Sequence, residues 1–337
     1  MAVAAFSSGF GDDTIDRAVV MALINLILVV GLYAFTGLSG VFSFGQIAFM
    51  AIGGYVAGLL TIPEDVRGVL LTGLPHVVAS TTLPSTAATL VGGAAAAAVA
   101  AVLAIPLSRL AGLAAGLGTF AILIIVNVVA SNWQDVTGGD IGISPIPTTT
   151  TMTSTLVYAL AVVFVTYLFQ ESRFGLRLRA SREDEIAAGA VGISVGRERA
   201  IAFTLSGFFM GIGGGLFAQF QGTITPQAFY LPITFLTIAM LVVGGTTSLS
   251  GAVIGVLVLS TLAEFLRRVE QGVDLGVVNI PARSGAREVG LGIVMLSVLL
   301  ARPRGITGGR EIRWPFSKHQ VRQHERSRDE GSVTADR

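Results

Sequence analysis

Residues 86–105 read TAATLVGGAAAAAVAAVLAI and are apolar or small on every face, whatever the period of the backbone. About twenty such residues in succession are what an α-helix needs to cross the hydrocarbon core of a bilayer. An outer-membrane barrel would instead show strands of about ten residues in which apolar and polar side chains alternate. The stretch therefore predicts a transmembrane helix within an all-α protein.

Apolar runs of the same kind recur along most of the chain. The 337 residues are 52% hydrophobic and 13% charged, with a mean hydropathy of +0.75, whereas soluble domains carry about 25% charged residues. Residues 233–246 and 288–301 are short for a spanning helix and suit broken or tilted elements. The predicted fold class is an all-α integral membrane protein, a polytopic helical bundle of about nine (eight to ten) transmembrane helices. The runs lie at 18–36, 42–61, 86–105, 110–130, 155–170, 200–221, 233–246, 251–266 and 288–301.

The runs divide the chain into three parts. Residues 1–17 lack the basic flank of a signal peptide, so we expect the first run to be retained as a helix. Residues 18–308 form the transmembrane domain. Residues 309–337 are polar and without pattern, and they cannot bury enough apolar area to offset the entropy of ordering them. We expect a disordered tail.

Loop charge predicts the topology, because basic residues near membrane ends favour the cytoplasmic side. Six arginines lie within 171–199, and basic residues also cluster from Arg302 onward, so we expect this loop and the C-terminus to be cytoplasmic. The 131–154 loop and the N-terminus are acidic and should lie outside. One conflict remains, since 267–287 then lies outside despite four arginines. A re-entrant hairpin at 233–266 would move that loop inside and change the helix count.

The sequence lacks the residues that several kinds of catalysis and metal binding require. The chain has no cysteine. Its three histidines have no other metal-ligating residues at suitable spacing, and no serine and acid arranged with them for a catalytic triad. We therefore expect no catalytic residue, no metal and no cofactor. A net charge of +1 gives no reason to expect a nucleic-acid partner.

The charged stretch SREDEIAAGAVGISVGRERA, residues 181–200, interrupts the apolar pattern. Ser181 followed by Asp184 predicts an N-cap, and acidic residues in the first turn suit the helix dipole. Gly192 suits the left-handed position after a helix end. These signals predict a short helix over 182–191, made slim by Ala187 and Ala188, which would fit a partner's groove. A loop that merely connects two helices is the alternative.

The stretch RFGLRLRASREDEIAAGAVGISVGRERAIAF resembles the cytoplasmic EAA loop of ABC importer permeases, specifically the branched-chain amino-acid permease family of the LivM type. In the wider motif two alanines follow a glutamate, with a glycine four positions after the second. Here Ile186 is interposed after the glutamate, and the proline that often closes the motif is missing after Ile201. Similar blocks follow in the family's order: GLSGVFSFGQIAFMAIGGYVAGLL (37–60), SNWQDVTGGDIGI (131–143), GTITPQAF (222–229), AMLVVGGTTSLSGAVIGVL (239–257) and LLARPRGITG (299–308).

The resemblance implies an ABC importer permease fold and a multi-pass protein of the bacterial inner (plasma) membrane, surrounded by lipid. It implies three partners: ABC ATPase subunits, a second permease subunit that is a paralogue, and an extracytoplasmic substrate-binding protein. The substrate would be a branched-chain amino acid, or a related small amino acid or amide such as urea. The residues that it places at the ATPase contact are Glu183, Asp184, Glu185, Ile186, Ala187, Ala188 and Gly192.

ATP hydrolysis should belong to another subunit. The sequence contains no G-x-x-x-x-G-K-[ST] run, and its only lysine is Lys318 in the tail. We therefore expect a transporter subunit rather than an enzyme, with 171–199 as the loop that couples it to the ATPase.

Two further groups of residues are candidates for a role inside the membrane. Gly207, Gly211 and Gly215 have the small-xxx-small spacing that lets helices pack closely. Phe44, Gln46 and Asn127 are candidates for the translocation path, although each amide could equally hydrogen-bond a neighbouring helix.

Two other classes of function fit the sequence less well. An ion-coupled secondary transporter of a small neutral solute would normally carry a buried acid or histidine, and the runs before residue 260 contain no charged residue or histidine. An integral membrane enzyme would need a metal cluster, an activated nucleophile or paired carboxylates. The importer permease therefore accounts best for the pattern.

Overall fold

The structure, a computed structural model, describes residues 12–70, 81–108, 110, 112–271 and scattered positions between 290 and 308. The predicted tail 309–337 and most of the loop 267–287 lie outside the described residues, as do residues 1–11. The α-helices with described bounds are α1 Asp12–Leu32, α2 Gln46–Thr61, α3 Glu64–Leu70, α4 Ser85–Leu107, α5 Gly112–Asn132, α6 Gln134–Thr137, α7 Met152–Glu171, α8 Arg173–Glu183, α9 Glu185–Ala190, α10 Val195–Gln221, α11 Leu231–Gly244 and α12 Leu249–Gln271.

The predicted polytopic helical bundle is confirmed. Among the described residues, seven helical segments are long and apolar enough to cross a membrane, and α2 is a shorter apolar helix. These account for eight of the nine predicted runs, while the run at 288–301 is described only at scattered residues, so the count of nine is not established. The seven segments are Ile15–Gly37, Ser85–Leu107, Gly112–Asn132, Met152–Glu171, Val195–Gln221, Pro226–Gly244 and Leu249–Arg267.

Helix α10 is the centre of the bundle and packs against α1, α2 and α4. Contact with α2 is so close that a Cβ added to Gly53 would lie 2.3 Å from the Cα of Gly211. Toward α4, a Cβ added to Gly207 would lie 2.5 Å from the Cβ of Ala100. Without side chains at these points the three backbones can approach one another, which maximises dispersion contacts where lipid offers no hydrophobic driving force.

One end of the bundle, here called the charged end, carries residues 171–199. There the Arg182 guanidinium donates to the Gly37 carbonyl at 2.9 Å, joining α8 to the end of α1. The turn between α11 and α12 is at the same end, because a Cβ added to Gly37 would lie 2.7 Å from the Thr246 carbonyl oxygen. Residues 305–308 reach this turn, where the Ile306 amide donates to the Val243 carbonyl at 2.9 Å.

The opposite end, here called the bridge end, is named for the antiparallel β-bridge between Ile143 and Ile224. The loop 133–150 lies there. The C-terminal end of α2 lies there too, because a Cβ added to Gly58 would lie 3.0 Å from the Ile146 Cδ1 and 3.6 Å from the Ile224 Cδ1. Helix α12 starts at the charged end and is antiparallel to α11, and its 23 residues extend about 34 Å. This length is enough for a full crossing of the bilayer, which favours two crossing helices over a re-entrant hairpin at 233–266.

Between α1 and α2 the chain leaves helical geometry inside the bundle. A π-helix over Tyr33–Gly37 follows α1 directly, and residues 40–45 are irregular before α2 begins at Gln46. Gly45 touches α5 so closely that an added Cβ would lie 2.1 Å from the Thr119 carbonyl oxygen. Thr119 is about 10 Å along α5 from its first residue. Irregular backbone at such depth is tolerated only where protein covers it or where it lines a cavity.

Candidate functional site

The charged loop contains two short helices, α8 and α9, rather than the single predicted helix over 182–191. Ser181 does not cap a helix: it is buried within α8, and its hydroxyl donates to the Leu178 carbonyl at 2.8 Å. The cap is Asp184, whose carboxylate accepts from the amides of Ile186 and Ala187, both at 2.9 Å. Asp184 has extended backbone geometry, which breaks the helix and leaves its carboxylate facing the free amides of α9.

Gly192 terminates α9 in the left-handed conformation, with φ +84, as its position predicted. The Ile193 amide donates to the Ala188 carbonyl and the Gly192 amide to the Gly189 carbonyl, each at 3.0 Å. This pair of bonds is the Schellman motif, which satisfies carbonyls that a short helix would leave open. Helix α9 therefore has both ends capped although it is only six residues long.

Only one side of α9 is packed against the chain. Ala188 is 4% exposed and faces inward, so its predicted place on an outward slim face beside Ala187 is wrong. Ala187 is exposed, Ile186 is 86% exposed and Val191 is 77% exposed. A capped helix outside the spanning segments that displays aliphatic side chains has an unpartnered apolar face.

Glu185 binds within the chain. Its carboxylate makes a two-pronged ion pair with Arg199 at 2.9 and 3.2 Å, and the Arg199 side chain is 9% exposed. Arg199 lies in the first turns of α10, so the pair attaches α9 to the central helix. Beside it, Arg177 of α8 pairs with the buried Glu198 at 3.4 Å.

Arg182 attaches the charged loop to α1, a role that the sequence did not reveal. It donates to Gly37, the last residue of the π-helical turn, and it also pairs with the exposed Glu183 at 2.8 Å. Its stem passes over Gly40, where an added Cβ would lie 2.5 Å from the Arg182 Cγ. The two partners are 145 residues apart, and no local signal links them.

A small cleft lies at the start of α2, between α1, α10 and α11. Gln46 is 2% exposed, and within the described part of the chain neither atom of its side-chain amide has a hydrogen-bond partner. The same holds for the Ser43 hydroxyl. The volume of the cleft is about 10 Å³, which is room for about one water molecule. Its lining consists of Leu32, Ser43, Phe44, Gln46, Ile47, Met210, Thr234, Thr237 and Ile238.

The structure places Asn127 apart from this cleft. Its side-chain amide donates to the Pro226 carbonyl at 3.0 Å, near the bridge end. Along α5 it is about 12 Å from Thr119, and Thr119 accepts from the Phe44 amide at 3.1 Å. Phe44 and Gln46 therefore share one cleft, whereas Asn127 bonds a neighbouring element. Thr234 and Thr237 complete the cleft and were missed, because α11 reads as a uniformly apolar helix.

Comparison with known proteins connects this architecture to transport. A family profile described as "Branched-chain amino acid transport system / permease component" matches residues 14–298. The permease protein LivM of the high-affinity branched-chain amino acid transport system of Escherichia coli K12 is 29% identical over 288 residues, which are 75% of this chain and 64% of LivM. The chain thus spans less than two thirds of the length of that relative.

More distant matches carry other names. A probable branched-chain amino acid transport permease protein LivH of Methanocaldococcus jannaschii is 33% identical over 46% of this chain and 47% of its own length. The guanosine ABC transporter permease protein NupQ of Bacillus subtilis 168 is 38% identical over 19% of this chain and 21% of its own length. No solved structure matches. With its multi-pass helical bundle and a match over 14–298, the chain belongs to the family of permease components of branched-chain amino acid transport systems.

Proposed function

We propose that the chain is the membrane-spanning subunit of an ATP-driven importer and that α9 is its contact with a separate ATPase. The observation that carries this proposal is the capped α9, which presents Ile186 and Val191 while Glu185 attaches it to α10. A helix that is rigidly mounted at its base and apolar on its free face transmits displacement from a partner's groove. Ala187 and the exposed Gly189 keep the contact face narrow.

Two routes carry such a displacement into the membrane. Through Glu185 and Arg199 it reaches α10, the central helix. Through Arg182 and the Gly37 carbonyl it reaches the irregular segment between α1 and α2. Both routes end at segments that line the cleft. Phe44 and Gln46 also line this cleft, and we propose both residues as part of the translocation path. Gly207, Gly211 and Gly215 then allow α10 to move against α4 without interlocked side chains.

The proposed substrate is a branched-chain amino acid or a related small amino acid or amide. All nine residues that line the cleft are uncharged, which suits a neutral or zwitterionic solute better than an ion. LivM and LivH, which name branched-chain amino acid transport, match 75% and 46% of this chain, whereas NupQ, which names guanosine, matches 19%. The proposed partners beyond the ATPase are a paralogous permease and an extracytoplasmic binding protein, with the latter at the bridge end.

A single substitution on the free face of α9 tests the proposal. At Gly189 an added Cβ meets no atom within 4 Å, so Gly189→Trp fills only the space that the partner would occupy. We expect ATPase subunits to co-purify less with this variant and ATP-driven leucine uptake to fall by about fivefold to a hundredfold, as about 1–3 kcal/mol of overpacking implies.

Gly292→Trp is the matched control, since Gly292 is also helical and exposed with no atom within 4 Å of an added Cβ. This variant should keep its ATPase. Unchanged ATPase binding and uptake in Gly189→Trp would show that α9 is only a connection between helices.

A further inference from the structure

We infer that the cleft at the start of α2 is a binding subsite for the polar end of the transported solute, with Gln46 and Ser43 as the groups that contact it. This inference rests on the proposed function and assigns a place and a chemistry to its substrate. It starts from an energetic anomaly. A buried amide without a hydrogen-bond partner costs free energy, and Gln46 leaves both its donor and its acceptor unused while only 2% exposed.

The surroundings show what kind of ligand would remove that cost. Gln46 is the first residue of α2, and its N-cap Gly45 provides no side-chain cap, so the helix dipole there favours a carboxylate or carbonyl oxygen. The Gln46 side-chain oxygen and the Ser43 hydroxyl accept hydrogen bonds from an ammonium or amide group. A ligand that carries both a donor and an acceptor at one end satisfies all these groups together.

The rest of the lining is mostly apolar and, among the described residues, carries no charge. The hydroxyls of Thr234 and Thr237 donate to carbonyls of their own helical segment. The apolar lining residues are Leu32, Phe44, Ile47, Met210 and Ile238. A cation or an anion alone would find no counter-charge there, so its desolvation would remain uncompensated. The chemistry therefore selects a small neutral amide or a zwitterion with a short aliphatic part.

The position of the cleft suits a step in transport. It lies at a broken helix about 10 Å from the start of α5, and helix breaks at membrane depth are where transporters bind solutes. The cleft has room for about one water in this structure, so admitting a solute requires the helices that line it to separate. The loop that we propose to meet the ATPase contacts Gly37 through Arg182. Gly37 is about one helical turn beyond Leu32, which lines the cleft.

Thiol chemistry tests the subsite without any need for ATP or partner subunits. The chain contains no cysteine, so Ser43→Cys in the full-length protein carries a single thiol. We expect methyl methanethiosulfonate to label this thiol and leucine or isovaleramide to protect it. Isoamylamine, a cation of similar shape without an acceptor, should not protect. Ser206→Cys is the control, because Ser206 is fully buried in packing and donates to the Gly31 carbonyl at 2.6 Å.

Gln46→Leu distinguishes a binding role from a structural one. Since it removes an unsatisfied buried amide, its thermal unfolding midpoint should equal or exceed that of the unmodified protein. Protection of Ser43→Cys by leucine should weaken about tenfold in the Ser43→Cys, Gln46→Leu pair. Should Gln46→Leu unfold, the thermal midpoint of the conservative Gln46→Asn and its protection constant provide the same comparison.

The inference is overturned if Ser43→Cys is labelled no faster than Ser206→Cys, if no probe protects it, or if isoamylamine protects as well as leucine. Failure of the proposed function has a different signature. In that case ATP and ATPase subunits drive no leucine uptake even though the cleft still binds and protects. Normal uptake together with an unprotected cleft would reject the subsite alone.

Discussion

At the scale of single residues, Arg182 is the side chain whose role we would test first. It joins α8 to the last residue of the π-helical turn and also pairs with Glu183. A charge-assisted hydrogen bond to a backbone carbonyl restrains both the distance and the relative orientation of the two groups. Movement of the loop should therefore reach α1 through this contact.

Arg182→Met should separate ATP hydrolysis from uptake. The substitution keeps an apolar stem over Gly40 and removes the donors together with the positive charge, at a cost of about 1.5–3 kcal/mol. We expect the ATPase to remain bound and to hydrolyse ATP while the solute transported per ATP falls several-fold. Hydrolysis and uptake measured in parallel on reconstituted complexes check this.

Arg197→Met removes the same charge from an exposed position in the same loop and should leave the ratio unchanged. Equal ratios for the two variants would mean that Arg182 contributes only positive charge.

At the scale of elements, the contact between α4 and α10 depends on missing side chains. A Cβ added to Gly211 would lie 2.6 Å from the Cβ of Ala96 and 2.8 Å from the Cα of Gly93. Neither neighbour is a flexible side chain that can turn away, so the two helices would have to separate.

We expect Gly211→Ala to lower stability by about 1–3 kcal/mol, the usual cost of overpacking, and to lower the thermal midpoint in detergent. Gly189→Ala is the matched change in a helix with open space, and it should be neutral or stabilising because alanine is the better helix former. If both variants melt at the same temperature, close packing at Gly211 does not limit stability.

At the scale of the whole molecule, the bundle has two chemically different ends. Residues 171–199 and 305–308 lie at the charged end, and the loop 133–150 lies at the bridge end. Basic residues follow the charged end into the tail, and the acidic loop is at the other end. By the positive-inside rule we propose that the charged end and the C-terminus are cytoplasmic.

Single cysteines test this orientation in intact cells. Ala190→Cys at the charged end and Ser317→Cys in the tail should resist an impermeant thiol reagent and react only after the membrane is opened. Gln134→Cys, exposed at the bridge end, should react from outside. A cysteine in place of Ser181 would be an unsuitable probe because this position is buried. A lack of labelling there would not report on which side of the membrane it lies. Labelling of Ala190→Cys from outside would contradict the orientation.

Properties that add up over contiguous residues were readable from the sequence alone. Spanning length and uniform apolarity predicted the helices, and the left-handed Gly192 followed from the end of a local helical pattern. Family membership followed in the same way, from blocks that each lie within a short stretch. Such features depend on backbone hydrogen bonding within a segment and on transfer of its side chains into lipid, which neighbours in space hardly change.

Properties that depend on which distant residues meet were decided only by the tertiary structure. Ser181 resembled a cap until packing buried it within α8, and Asp184 took that place. Ala188 turned inward because α9 is attached through Glu185 and Arg199. The hydrogen bond from Arg182 to Gly37 joins residues 145 positions apart. Gln46 shares its cleft with Thr234 and Thr237, whereas Asn127 lies elsewhere. The physical reason is that helices inside a membrane pack through small residues and hydrogen bonds between segments, and a linear pattern does not specify which partners meet.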